Sequence, residues 1–392
     1  MNEVPPAIGL YVHLPWCVRK CPYCDFNSHV APAEIPERAY LNALIEDLDH
    51  DLALVGPRTL TSIFFGGGTP SLFSAHAIAG LIDAARSRFQ CAADIEITLE
   101  ANPGTIEHGR FAEYRSAGVN RVSLGAQSFS DLMLKALGRI HGSADIERAV
   151  DELTQASLSN FNLDLMYCLP GQSLELARED VISAMRLQPT HISYYELTLE
   201  PGTPFHRRPP VLPDMDLAWE MQLRGQDALM DGGYGQYEVS AYSRTARQCR
   251  HNLNYWRFGD YLGIGAGAHG KYSREGCTQV FRTTRHKQPR EYLRRNPTER
   301  LTEHRRITHA DLSFEFFLNA LRLREGFTAV QFEAATGMQF QLPVAPIATA
   351  VAKGWLNSTG AGTWAPSELG RCFLNDLQAL FLPSELATSM RS

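Results

Sequence analysis

Short apolar runs recur along the first two thirds of the chain, and each is followed by a longer stretch whose apolar positions fall three and four residues apart. Brief runs bounded by glycine or proline read as strands, and the longer 3.6-residue periodicity reads as amphipathic helices. Strands are predicted at 8–12, 62–65, 95–99, 121–124, 161–166 and 191–195, with helices near 37–53, 75–88, 107–117, 144–157, 173–187 and 216–232 between and after them. Regular alternation of this kind predicts parallel βα units. Six of them suit an open doubly wound sheet or a partial barrel, and both designs carry function in the loops at the carboxyl ends of the strands.

The unusual polar and glycine-rich segments obey that rule. WCVRKCPYC follows the first strand, GGGTP the second, EANP the third and GAQSF the fourth; the fifth carries Asp164 and ends in LPGQ, and the sixth runs into Glu196 and LTLEPGTP. All of them are expected on one end of the sheet.

From about residue 285 the pattern changes. RHKQPREYLRRNPTERLTEHRR reads as a linker or solvated surface, LSFEFFLNALRL as a strongly apolar helix, and GWLNSTGAGTWAP followed by SELGRCFLNDLQALFL as a hairpin and helix of winged-helix type. A chain of 392 residues is long for one ordinary core. The expected architecture is α/β: a large domain over 1–284 and a smaller, winged-helix-like α+β domain over 285–392.

Hydrophobic residues make up 44% of the chain and charged residues 20%, ordinary values for a folded globular protein. The net charge of -6 lacks the basic excess of a polyanion binder, and Arg371 in the last helix is accompanied by Glu368 and Asp376, so nucleic acid is not an expected partner. Glu3 stands where a secretory signal would be basic, and no apolar run approaches the roughly 20 residues that span a bilayer. A cytoplasmic protein without a transmembrane anchor is expected.

Of eight cysteines, Cys17, Cys21 and Cys24 form CxxxCxxC and five are scattered singly, which is not a disulfide framework. At roughly 2% cysteine, such a triplet arises by chance about 0.003 times. Three thiolates on a short loop suit three corners of an iron–sulfur cubane and leave one iron open to chelate a small molecule. A structural zinc would need a second CxxC or an HxxxH, which is absent, and a redox CxxC is the remaining alternative. The lone cysteines, with His13 and His269, are expected to fill structural roles.

YVHLPWCVRKCPYCDF resembles the cluster loop of the anaerobic coproporphyrinogen III oxidase-like family of radical S-adenosylmethionine (SAM) proteins, and the likeness spans most of the chain. The resemblance implies a radical SAM partial (βα)6 barrel, a [4Fe-4S] cluster held by Cys17, Cys21 and Cys24, and SAM bound beside it. It implies packing on the adenine side for Tyr23 and contact with the cluster-bound SAM for Tyr11. GGGTP, with Gly67, Gly68 and Thr69, matches the family's glycine-rich SAM motif; the missing side chains at 66–68 let backbone approach the amino acid end of the ligand. Glu100, Gln127, Arg139 and Asp164 fall where similar proteins place polar contacts to SAM, the carboxylates suiting ribose hydroxyls or the ammonium and Arg139 the carboxylate.

Within the family, the oxidases proper continue the cluster motif with a fourth cysteine where this chain has Phe26, and carry a longer segment ahead of it than the sixteen residues before Cys17. His251-Asn252-Leu253-Asn254-Tyr255-Trp256 matches the HNxxYW motif of the HemW type, regarded as heme chaperones. Taken alone, an imidazole beside two large rings suits a porphyrin grip with His251 as a ligand, and equally suits a structural corner. The resemblance implies a carrier that binds heme and delivers it to an acceptor hemoprotein such as a respiratory enzyme, the cluster supporting assembly, homodimerisation or release. The alternative is a radical SAM enzyme acting on a tetrapyrrole, an oxygen-independent coproporphyrinogen III oxidase or similar.

Overall fold

In a computed structural model, which describes residues 6–105, 110–274, 277–360 and 362–383, all six predicted strands are present. They are β1 (Ile8–Leu14), β2 (Thr59–Gly67), β3 (Gln90–Ala101), β4 (Arg121–Gln127), β5 (Phe161–Tyr167) and β6 (His191–Glu196), paired in parallel in that order. Their apolar runs are buried because helices cover one face and the sheet curves around its own interior on the other. The ladders also run past the apolar residues into the polar ends, which is why each strand is longer than its hydrophobic pattern.

The intervening helices are α1 (Glu37–Val55), α2 (Ala75–Arg88), α3 (Arg110–Ser116), α4 (Ser143–Gln155), α5 (Leu174–Arg186) and α6 (Met215–Asp231). Ser74, Ser173 and Asp214 cap α2, α5 and α6, each side chain accepting a backbone N–H from the first turn. The start of the helix expected at 107–117 lies partly outside the described residues.

The sheet extends beyond six strands at both edges. On the β6 side it gains β7 (Gly235–Glu238) and β8 (Ala241–Ser243). On the β1 side come the parallel strand β9 (Asp260–Ile264) and the antiparallel strands β10 (His269–Arg274), β11 (Gln279–Arg285) and β12 (Leu301–Arg306). The order is β12-β11-β10-β9-β1-β2-β3-β4-β5-β6-β8-β7. A short helix, α7 (Arg250–Trp256), leads into β9.

The charged stretch from 285 to 306 is therefore not a linker. It supplies the end of β11 and all of β12, and two of its arginines are buried against α1. Arg285 pairs with Asp47 at 3.2 Å and Asp51 at 2.7 Å, Arg300 pairs with Asp47 at 3.2 Å, and the Tyr292 hydroxyl donates to Asp47 at 2.5 Å. Buried charges persist only when paired and hydrogen-bonded in this way.

Beyond β12 the chain builds a separate aromatic core. α8 (His309–Ala320) packs with helices Ala329–Thr336 and Val344–Ala352 and with a small sheet of Phe327–Thr328, Leu356–Gly360 and Thr363–Pro366. The helix expected at the end divides at Phe373 into Glu368–Cys372 and Leu374–Ala379. The turn after α8 is strapped to the large sheet: Leu323 bridges Glu238, and Arg324 N donates to Tyr237 O at 3.0 Å. Among the described residues no helix is long and apolar enough to cross a membrane.

Candidate cofactor and ligand site

A cavity of about 480 Å³ opens at the carboxyl ends of the parallel strands, within the usual size range of small-molecule sites. Its wall carries every predicted site residue except Tyr11 and His251.

The cysteine loop is clamped at its base. Trp16–Cys17 pairs in parallel with His29–Val30, Asn27 Nδ2 donates to Ala266 O and Lys287 O at 2.9 Å each, and the His13 ring bonds Asn27 O at 2.9 Å. His13 and the glycine-rich turn 265–268 thus hold the loop in place. A Cβ on Gly267, whose φ is +80°, would lie 2.2 Å from Asn27 Nδ2. All eight cysteines are free thiols, and burial pushes Cys17 and Cys24 up, so both are protonated until a metal displaces the protons. Among the described residues no three His, Cys, Asp or Glu side chains converge on a single ion site. The three thiols lie on one loop and line the cavity, and their chemistry is that of the thiolate set that holds an iron–sulfur cubane.

The glycine run is shaped by protein contacts. A Cβ on Gly67, whose φ is +115°, would lie 2.6 Å from the His13 ring, and one on Gly68 would lie 2.5 Å from Trp16 O. The backbone N–H groups here are already committed, Gly67 to Glu100 at 3.2 Å, Gly68 to Leu14 O and Thr69 to Trp16 O at 2.8 Å. The glycines let β2 press against the base of the cysteine loop, rather than presenting free donors to a ligand.

The polar residues form one continuous wall. Arg139 Nη1 donates to Cys21 Sγ at 3.7 Å and Nη2 to Gly125 O at 2.9 Å; the Tyr195 hydroxyl donates to Gln127 Oε1 at 2.9 Å. Asp164 accepts from Asn162 at 2.8 Å and Ser123 at 3.2 Å. Burial, then the neighbouring Asp164 charge, raises Glu100 to about 8, and burial also raises Asp164. Glu100, held largely neutral near pH 7 in this way, is ionised by an incoming cation. The wall suits a ligand bearing an ammonium or sulfonium group near hydroxyls.

Tyr11 lies apart from the cavity: its hydroxyl bonds His13 Nδ1 at 3.0 Å, and its ring packs beside Phe64 and His251. Tyr23 does line the cavity, packed beside Phe205, and Phe26 stands at the mouth, 60% exposed.

Residues 11–181 match the radical SAM superfamily and residues 307–373 the HemN C-terminal domain. The chain is 49% identical over 382 residues to the heme chaperone HemW of Escherichia coli strain K12, covering 97% of this chain and all of that one. The chain belongs to the HemW family. Heme chaperone HemW of Haemophilus influenzae strain Rd is 47% identical, over 98% of this chain and all of its own. The solved structure of coproporphyrinogen III oxidase (HemN) from Escherichia coli, a radical SAM enzyme, shares the fold at a TM-score of 0.80 and 21% identity, over 97% of this chain and 91% of that one.

In this member of the HemW family the HNxxYW segment forms α7, and its residues divide between two faces. His251 is 1% exposed, and both ring nitrogens are engaged, Nδ1 with Ser62 Oγ and Nε2 with the Tyr255 hydroxyl, each at 2.8 Å. It is not brought to the cavity. Asn252 and Trp256 are. Residues four apart share a helix face, so the motif consists of two such pairs, an inward His251–Tyr255 and a cavity-facing Asn252–Trp256. That spacing was the signal for the second pair. Arg322, whose guanidinium lies 4.3 Å from the Trp256 ring centroid, also lines the cavity, and nothing in the sequence pointed to it.

Proposed function

We propose that this chain is a cytoplasmic heme chaperone, binding heme in the cavity and passing it to an acceptor hemoprotein such as a respiratory enzyme. Cys17, Cys21 and Cys24 hold a [4Fe-4S] cluster, with exchangeable SAM against Glu100, Gln127, Arg139 and Asp164. A bound cluster supplies an open iron that chelates the amino and carboxylate groups of SAM. The observation that carries the reading is the single cavity that joins the cysteine loop and polar wall to Trp256, the flat aromatic of the HNxxYW segment. The identity to proteins named heme chaperone HemW, over nearly the whole chain, supports it.

The chain's own groups have definite tasks in this scheme. Arg139 keeps its positive charge beside Cys21, where it offsets the negative charge of a thiolate-bound cluster. Glu100, neutral near pH 7 when the cavity is empty, loses its proton to meet a ligand cation. The clamp through Asn27 and His13 fixes the base of the cysteine loop through protein contacts alone.

The test is anaerobic incubation of the reconstituted, dithionite-reduced protein with SAM and either heme or coproporphyrinogen III. Heme absorbance, porphyrin products and, by size-exclusion chromatography, monomer or homodimer are followed. Heme binding, transfer to an apo-hemoprotein and no decarboxylated porphyrin are expected. The complete polar wall favours radical SAM chemistry as the second reading, and a vinyl-bearing product with 5′-deoxyadenosine would establish it.

A further inference from the structure

Three hydrogen-bond donors on cavity-lining side chains have no acceptor: Arg139 Nε beside the cysteine loop, and Trp256 Nε1 and Arg322 Nε together on the C-terminal side. Trp256 Nε1 and Arg322 Nε are both buried from solvent and unpartnered. Native proteins leave few such groups, and a cluster of them beside a cavity points to a ligand that supplies the missing acceptors. The Trp256 and Arg322 side chains are stacked, Arg322 Cζ lying 4.3 Å from the Trp256 centroid, so their two orphaned donors belong to one assembly.

Arg322 is held from the C-terminal side. Leu323 bridges Glu238, and Glu238 Oε2 takes Arg322 Nη2 at 3.1 Å, occupying one corner of the guanidinium fork. The Nε corner is left over. Carboxylates outnumber arginines around this cavity, so an anionic side chain can settle only where a cation is available. Arg139 lies against the cysteine loop, its two Nη atoms bonded to Cys21 and Gly125, and Arg19 is exposed on the same loop. Arg322 is the cavity arginine that sits against the Trp256 ring.

We propose that Trp256 and Arg322 form a carboxylate-recognition subsite that takes a propionate of the porphyrin, with the C-terminal domain thereby completing the ligand site. This rests on the heme-carrier reading and assigns its specificity: the indole N–H and the guanidinium Nε–H donate to the propionate while the porphyrin edge approaches the Trp256 ring. The subsite selects tetrapyrroles with free propionates and fixes which edge of the ring enters first.

The test compares anaerobic absorbance titrations of the reconstituted full-length protein with heme and with heme dimethyl ester, whose propionates are blocked. The wild type is expected to bind heme at least about tenfold more tightly than the ester, the factor a lost charge-assisted contact represents. Arg322→Gln should lose that preference while its ester affinity stays the same, and Trp256→Phe, which keeps an aromatic ring and loses the N–H, should lose part of it. Cluster absorbance and the thermal midpoint monitor folding. If Arg322→Gln does not fold, Arg322→Lys and Trp256→Phe carry the comparison. A wild type that binds heme and ester equally, or variants that lose both ligands in parallel, overturns the subsite and leaves heme carriage standing. A wild type that binds neither overturns the carrier reading itself.

Discussion

His251 Nδ1 lies 2.8 Å from Ser62 Oγ, which ties α7 to the inner face of β2. The second nitrogen meets Tyr255, and burial, then the charge of Arg121, lowers the imidazole to about 3. A neutral ring with both nitrogens engaged is a brace between helix and sheet. His251→Ala should therefore destabilise the protein by about 2–4 kcal/mol, since it leaves a hole and two hydroxyls without their partner. Urea unfolding measures this, and heme affinity of the folded variant should stay at the wild-type value. Lost heme binding at an unchanged unfolding midpoint would show instead that the ring turns into the cavity.

Replacing Cys17, Cys21 or Cys24 singly by Ala should abolish the broad visible absorption of the anaerobically reconstituted cluster. Cys91→Ala, Cys168→Ala and Cys372→Ala should leave it intact, because those thiols lie outside the cavity wall. A cluster spectrum retained at full intensity in all three loop variants would sink the assignment of the loop.

The parallel strands were legible because their apolar runs are buried on both faces, a local property of the sequence. So was the cysteine loop, whose chemistry is a matter of short spacing. Residues whose roles depend on distant partners were not. Arg285 reads as part of a solvated charge run until Asp51, 234 residues away, is placed against it. His251 reads equally as a ligand and as a structural corner until the phase of α7 turns it inward and turns Trp256 out. Arg322 lies in an ordinary charged turn, and only the strap between Leu323 and Glu238 carries it to the cavity.

The buried ionic cluster between α1 and β11 makes the extension of the sheet testable. Arg285→Met removes the cation that faces both Asp47 and Asp51, leaving Asp47 to Arg300 and Tyr292 and, among the described residues, Asp51 with only His50 beside it. Breaking a buried pair from one side costs about 3–5 kcal/mol. Urea unfolding should show a loss of that size, together with easier proteolysis of residues 285–306. A loss below about 1 kcal/mol would mean that the stretch is solvated, as its composition suggested.

Glu100 gives the ligand-free protein a pH dependence of definite sign. Its folded value, raised to about 8 by burial and by Asp164, lies above the ordinary 4.5, so the folded state holds a proton that the unfolded state has released between those two values. Stability from this group is complete below pH 4.5 and declines as the pH rises toward 8, by about 5 kcal/mol in all. The depressed histidines His13 and His141, each near 4, act in the opposite sense, and their stability is lost as the pH falls below about 6.5. Glu100→Gln keeps an acceptor for Gly67 N and cannot ionise, so it should flatten the decline between pH 6 and 8 and leave the acid side unchanged. Thermal midpoints across that range measure the difference. Because the same carboxylate is the partner offered to a ligand cation, the variant should also weaken SAM binding most at pH 8, where the wild-type group is charged without help. A variant that kept the wild-type decline would place the titration on another group, with Asp164 the next to replace.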